Sequence, residues 1–398
     1  MDSSTLKCDV LIIGAGPAGA SLAFYLADKG IKSILIDKKL RIDTPLRCAE
    51  YVPAAIGGLF DGPISGINRK TVSMDTYIDY KYANTISSPG FMLDRPVFLE
   101  SLVDGFRQNG GKFLPGTKVV SFSEKDYQGD VPGEGEVIIT VVQGPRGEMS
   151  TIKSKIVVGA DGPDSCVGKY IGSTNSSYVL GLGENIPVEV RDRSRTLVFF
   201  SPEIEGGYGW LFPKAGSTNL GIGCQFAGKK ENLNVVLRKI YMDFKKRVFL
   251  MDLFDIPEPA NRLSPPVEAS LTAGLIPASG MLKKTVSGRF ILAGDAAGLA
   301  NPITGAGIYN AVSSSRIIAD TAAEALRDSS VMSSMGVLAN IEKQYLDTFG
   351  KSLHRAVLKR KDLMDSWPDR RGSNIYGDGS FDMLIRRCWV SFKDYWRS

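Results

Sequence analysis

Histidine is nearly missing: the 398 residues hold one, His354. With no histidine cluster and no Cys-x-x-Cys pair, a zinc site and a Ser-His-Asp triad both lack their parts, so no metal is expected. His354 stands beside Arg355 in a basic helical stretch and reads as solvated surface. Cysteines are five, scattered and odd in number (Cys8, Cys48, Cys166, Cys224, Cys388). That pattern argues against a disulfide framework and for free thiols in a reducing compartment. No apolar run reaches the ~18 residues of a membrane helix, and the start, MDSSTLKCDV, has none of the regions of a secretory signal. A cytoplasmic location is the expectation. The charge imbalance is slight, +5 from 48 basic and 43 acidic residues, with no clustered basic face to suggest nucleic acid. Internal repeats and low-complexity tracts are lacking too.

What the chain does have is a patterned beginning. Val10 to Ile13 is a β-branched apolar run of strand length. Gly14, Gly16 and Gly19 follow as Gly-x-Gly-x-x-Gly, the spacing that permits a tight turn, lets backbone approach a pyrophosphate, and seats the next helix close to the strand. The helix, Ala18 to Lys29, offers its N-terminal amides to that phosphate, and Gly30 ends it. Ser33 to Ile36 reads as a second strand closed by Asp37, about 20 residues after the glycines, where a carboxylate can take ribose hydroxyls.

Farther on, Arg41 to Gly66 loses periodicity and reads as a long functional loop. Thr71 to Tyr82 alternates as a strand or two, and Ser87 to Gly90 reads as a turn. Asp94 can cap a helix with Pro96 in its first turn, running to about Arg107. Lys112 to Phe122 is extended, and Glu124 to Ile156 is a meander with strands at Val137 to Val142 and Ser150 to Val158. Antiparallel strands are expected over Tyr178 to Phe226, a helix over Glu231 to Asp243, and a buried strand over Arg289 to Leu292. Two long helices then follow, from near Gly305 to Leu326 and from Leu338 to Met364. Parallel elements at both ends with antiparallel ones between predict an α/β fold, a Rossmann-type domain carrying an inserted antiparallel β-sheet substrate domain, followed by C-terminal helices. The expected division is residues 1–75, 91–177 and 270–330 for the nucleotide domain, 76–90 and 178–269 for the substrate domain, and 331–398 for the C-terminal helices.

Two further corners carry chemistry. Asp295 follows a strand and precedes a small-residue turn, where a carboxylate can bind sugar-like hydroxyls. Asn301 to Gly307 then leads into a helix whose amides would face a ring above them, a use well suited to the charge of a reduced isoalloxazine. Tyr208, Trp210 and Phe212 alternate along a strand and share a face; three aromatics there suit either an apolar chain or plain core.

The fingerprint, Gly159-Ala160-Asp161-Gly162 and Ala293-Gly294-Asp295-Ala296 together resemble the FAD-dependent oxidoreductases of the p-hydroxybenzoate hydroxylase fold. Pro45-Leu46-Arg47-Cys48-Ala49-Glu50, Tyr208-Gly209-Trp210-Leu211-Phe212-Pro213-Lys214 and Asn301 to Ile308 narrow the resemblance to the geranylgeranyl reductase family. It implies FAD held at the pyrophosphate by Gly14, Gly16 and Gly19 and at the ribose by Asp37, with Val119 by the adenine. Arg95 and Asp295 would serve the phosphate and ribityl region, and Asp161 would also bind the cofactor. Gly305, Gly307 and Ile308 would lie under the ring, with Cys48 and Ala49 beside it, and Tyr208, Trp210, Phe212 and Pro213 would wall an apolar pocket. Tyr51 after Glu50, and Gly168 where related flavoproteins often carry arginine, depart from the family pattern.

The activity implied is reduction of carbon–carbon double bonds in an isoprenoid lipid by hydride from reduced flavin, with Cys48 orienting or protonating. Cys48 also reads as an inert buried thiol, with Arg47 as its basic neighbour. A flavin monooxygenase or halogenase, or a flavin-binding assembly factor, is the alternative. Because one dinucleotide fingerprint is present, NAD(P)H bound transiently or an electron-carrier protein must reduce the flavin. At the C-terminus Arg386, Arg387, Lys393 and Arg397 alternate with Trp389, Phe392, Tyr395 and Trp396, either a peripheral membrane contact or a tail packed over the catalytic lobe.

Overall fold

The computed structural model describes residues 5–125, 137–226, 233–255, 271–327, 331–368 and 379–391. The chain runs β1 (Thr5–Ile13), α1 (Pro17–Asp28), β2 (Ser33–Asp37), β3 (Tyr51–Pro53), β4 (Ile67–Ile78), β5 (Lys81–Leu93), α2 (Arg95–Gln108), β6 (Lys112–Pro115), β7 (Lys118–Lys125), β8 (Val137–Gln143) and β9 (Met149–Gly159). Next come α3 (Cys166–Tyr170), β10 (Tyr178–Ile186), β11 (Arg195–Phe200), β12 (Tyr208–Lys214), β13 (Ser217–Phe226), α4 (Leu233–Leu250), β14 (Thr272–Pro277), β15 (Val286–Ser287) and β16 (Phe290–Leu292). The helices α5 (Ile308–Ala325), α6 (Val331–Tyr345), α7 (Lys351–Asp365) and α8 (Ser380–Ile385) follow.

Among the described residues the strands form two eight-stranded sheets. In the first, β16, β9, β1, β2 and β6 run parallel, while β7 and β8 fold back on β9 as an antiparallel meander. Val10 to Ile12 are fully covered, as a parallel strand buried on both faces requires; each such side chain contributes about 1.5–3 kcal/mol. α1 lies close on this sheet because Gly19 lacks a side chain: a Cβ there would stand 1.7 Å from the Gly14 carbonyl oxygen.

The second sheet has the order β14-β10-β13-β12-β11-β4-β5-β3, antiparallel except between β11 and β4. One face packs under α4 through Leu211, Leu220, Tyr241 and Phe244. The other carries Met74, Val198, Phe200 and Phe212 and meets α7 and α8 through Ala356, Leu363, Phe381 and Leu384.

Several expectations need correction. Ser87 to Gly90 does not turn; it continues β5, and Gly90 is there because Tyr51 crosses over it, with a Cβ falling 2.5 Å from the tyrosine hydroxyl. The stretch 41–66 is not all loop, since β3 and a 3-10 turn over Ala54–Leu59 lie within it. The helix expected over Leu338 to Met364 is α6 and α7 joined by a π turn at Leu346–Gly350. The expected limits 75/76 and 90/91 fall inside β4 and β5, and β3, β4, β5 and β14 all pair within the second sheet. The helix over Glu231 to Asp243 extends to Leu250, and its first two expected residues lie outside the described ones.

Candidate functional site

Register brings the corners together. Ile13 and Leu292 both align with Gly159, so the three strands end at one sheet edge. There the Ile13 carbonyl accepts from the Ala160 amide at 2.8 Å and the Gly159 carbonyl from the Ala293 amide at 2.9 Å. Gly14, with φ +102, turns directly against the second corner: a Cβ would meet the Ala160 carbonyl oxygen at 2.4 Å. A Cβ on Gly294 would reach Ala18 at 3.0 Å, and one on Gly307 would reach Asp295 Oδ1 at 3.0 Å. Around Gly16 the space is open.

The acids of these corners differ in how they are held. Asp37 accepts from the Ala15 amide and the Lys39 amide, each at 2.7 Å, closing the strand end back on the glycine turn. Val119 follows Thr117, whose amide donates to the Asp37 carbonyl at 2.8 Å. Asp161 Oδ2 accepts from the Cys166 amide at 2.7 Å, while its buried Oδ1 finds no hydrogen-bond partner among the described residues. Burial raises the Asp295 carboxyl to about 6 in spite of nearby Arg95. An orphaned buried carboxylate oxygen, an open glycine turn and a covered acid on one edge fit a cofactor bearing hydroxyls and phosphates.

Arg95 opens α2 after the Asp94 cap, whose Oδ1 accepts the Val97 amide at 3.2 Å. Its guanidinium grips Asp43 in a two-point pair, with Nε to Oδ2 at 2.6 Å. The buried Asp43 adopts φ +56 to reach it. Cys48 lies next to this pair. Burial pushes its thiol up, and Arg95 pulls it down; Arg47 is exposed, so the cation acting on the thiol is Arg95. The thiol sulfur accepts from the Glu50 amide at 3.2 Å. Glu50, fully buried, also binds the Arg95 amide at 3.0 Å and Lys214 Nζ at 2.5 Å.

On β12 the side chains of Tyr208, Trp210 and Phe212 form a continuous row of mutually inclined rings, centroids 6.4 Å apart at each step. Ala49 and Tyr51 pack on the same cluster, Tyr51 with its ring 6.0 Å from Phe212 and its hydroxyl on Ser88 Oγ at 2.9 Å. By strand alternation Pro213 lies on the Leu211 face and Lys214 on that of the row. The Tyr208 hydroxyl donates to the Thr304 carbonyl, tying the row to the 301–307 turn. In that turn Asn301 Oδ1 accepts the Ile303 and Thr304 amides at 2.9 and 3.2 Å, Gly305 has φ +68, and Gly307 precedes Ile308 at the head of α5. Arg360 of α7, buried, donates to the Pro302 carbonyl at 3.1 Å.

At Gly168 a Cβ would stand 2.6 Å from the Ser173 carbonyl oxygen, so this backbone has no space for the arginine of related flavoproteins. Trp389 packs its ring 5.2 Å from Tyr208 and 4.9 Å from Phe200 and donates Nε1–H to Thr76 Oγ1 at 3.2 Å. Its segment therefore covers the second sheet; Phe392, Lys393, Tyr395, Trp396 and Arg397 lie outside the described residues. Sequence reading missed Asp43, Lys214, Asn219 and Arg360. Lys214 was within sight as the last residue of the aromatic motif, but its partner Glu50, like partners of the others, is distant in sequence.

Residues 7–49 match the FAD binding domain family. The chain is 27% identical over 373 residues to a digeranylgeranylglycerophospholipid reductase of Methanococcus aeolicus, covering 91% of this chain and 88% of that protein. It is 30% identical over 345 residues to digeranylgeranylglycerophospholipid reductase 2 of Methanosphaera stadtmanae, covering 81% and 79%. Among solved structures, a geranylgeranyl bacteriochlorophyll reductase-like protein of Thermoplasma acidophilum superposes with a TM-score of 0.75 at 21% identity over 98% of both chains. p-Nitrophenol 4-monooxygenase of Pseudomonas putida does so with 0.68 at 16% identity, over 98% of this chain and 95% of that one, a likeness of fold alone. Since the 30% identity extends over 81% of this chain, the chain belongs to the digeranylgeranylglycerophospholipid reductase family of FAD-dependent oxidoreductases.

Proposed function

We propose that this protein reduces carbon–carbon double bonds in the geranylgeranyl chains of a lipid. The observation that carries the reading is the aromatic row of β12, fastened at Tyr208 to the 301–307 turn and lying on the sheet face that Cys48 approaches. When bound, FAD supplies hydride from its reduced ring. Gly14, Gly16 and Gly19 would receive the pyrophosphate, Asp37 the adenosine ribose with Val119 by the adenine, and Arg95 and Asp295 the phosphate and ribityl region; Asp161 would also bind the cofactor. Gly305, Gly307, Ile308, Cys48 and Ala49 would border the ring. Tyr208, Trp210 and Phe212 would hold the isoprenoid chain and exclude water, which an isolated alkene, a poor electrophile, requires. Cys48 would orient the chain or hold the proton for the second carbon; its raised thiol stays protonated at neutral pH.

Electrons would come from NAD(P)H bound transiently or from a carrier protein, because the chain has one dinucleotide fingerprint. Peripheral contact with a lipid surface belongs to the same proposal. The exposed side of α7 presents Lys351, His354, Arg355 and Lys361 around Leu358, chemistry suited to anionic headgroups. Among the described residues no helix is long and apolar enough to cross a membrane.

The test is anaerobic incubation of the FAD-loaded, dithionite-reduced protein with a geranylgeranyl phospholipid. A product heavier by two hydrogens per reduced bond is expected. Product formed only with oxygen would replace this reading with hydroxylation.

A further inference from the structure

The Trp210 indole rests on backbone. The residues opposite and beside it on β13 and β10 are Gly221 and Gly183, and a Cβ on either would stand 2.2 or 3.2 Å from the indole Cζ2. This floor sets the plane of the ring; one polar side chain sets its rotation. Asn219, buried and on the same face as Gly221, accepts the indole Nε1–H on Oδ1 at 2.7 Å. Its Nδ2 donates to the Cys48 carbonyl at 3.1 Å and to Asn185 Oδ1 at 2.9 Å. The indole offers only a donor, so the amide is oriented by its partners. Burying an amide on an apolar face costs free energy unless both ends are satisfied, and here both are.

We propose that Asn219 is a positioning residue for the reduction: it joins the Trp210 ring and the Cys48 loop into one unit, keeping the aromatic wall and the thiol at a single separation. The proposal rests on the reading of β12 as the wall for the lipid chain. Asn219→Leu removes both ends of the amide at similar volume, while Asn219→Asp keeps an acceptor for the indole and sets a carboxylate against the Cys48 carbonyl. Trp210→Phe removes the indole donor.

Two measurements on the FAD-loaded protein decide the matter. Alkylation of Cys48 by N-ethylmaleimide, with Cys48→Ala as blank, should quicken about tenfold in both Asn219 variants as the loop loosens. For the geranylgeranyl phospholipid, kcat should fall about tenfold or more with KM within about threefold, and Trp210→Phe combined with Asn219→Leu should fall no further than Asn219→Leu alone. Unchanged alkylation, or faster alkylation with unchanged kcat, would overturn the proposal. Should Asn219→Leu not fold, Asn219→Asp carries both measurements. A wild-type protein that reduces no such lipid is a failure of the functional reading instead, recognisable because the alkylation difference persists.

Discussion

Burial lifts the Asp295 carboxyl from 3.8 to about 6 against the pull of Arg95, and the sign of the consequence follows from that direction. Below the unfolded value the group is protonated in both states and costs nothing. As pH rises toward the folded value, the unfolded chain ionises first and stability is lost. Against Asp295→Asn, the cofactor-free wild type should therefore lose on the order of 1–2 kcal/mol between pH ~4 and ~6, a loss moderated by partial solvent access; thermal melts of both proteins across that range check it. Glu50 and Lys214 act at the same scale. Lys214→Met leaves a fully covered carboxylate unpaired and should cost about 3–5 kcal/mol, much of it recovered by adding Glu50→Gln, as urea titration would show. For Cys48→Ala the expected outcome is retained FAD absorbance with lower turnover; turnover equal to wild type would take the thiol out of the chemistry.

Among the elements, the first βαβ unit was legible because its information is local: an apolar run, glycines and a closing acid all lie between Val10 and Asp37. Gly14→Ala should abolish FAD retention in gel filtration and lower stability, since φ +102 and a carbonyl oxygen 2.4 Å from the new Cβ both oppose it. The face shared by Tyr208, Trp210 and Phe212 was legible too, from alternation alone. Ser87 to Gly90 was misread because glycine there answers to Tyr51, a neighbour only once β3 and β5 pair. The clamp from Asp43 to Arg95 spans 52 residues and the bond from Asn219 to Cys48 spans 171. No local pattern announces such pairs, because each is decided by which strands come to lie side by side.

For the whole molecule, the apolar face of the second sheet owes its cover to elements that follow all of its strands. Trp389, 4% exposed, fills the space over Tyr208 and Phe200, so Trp389→Ala should cost about 3–5 kcal/mol in a denaturant titration. A loss under about 1 kcal/mol would mean that the sheet closes without it. The bond from Trp389 to Thr76 spans 313 residues, and at ribosomal speeds of about 5–20 residues per second the second partner emerges roughly 15–60 s after the first. Until the C-terminal helices are made, the completed sheet presents an apolar surface without its lid on the nascent chain, a surface open to intermolecular association.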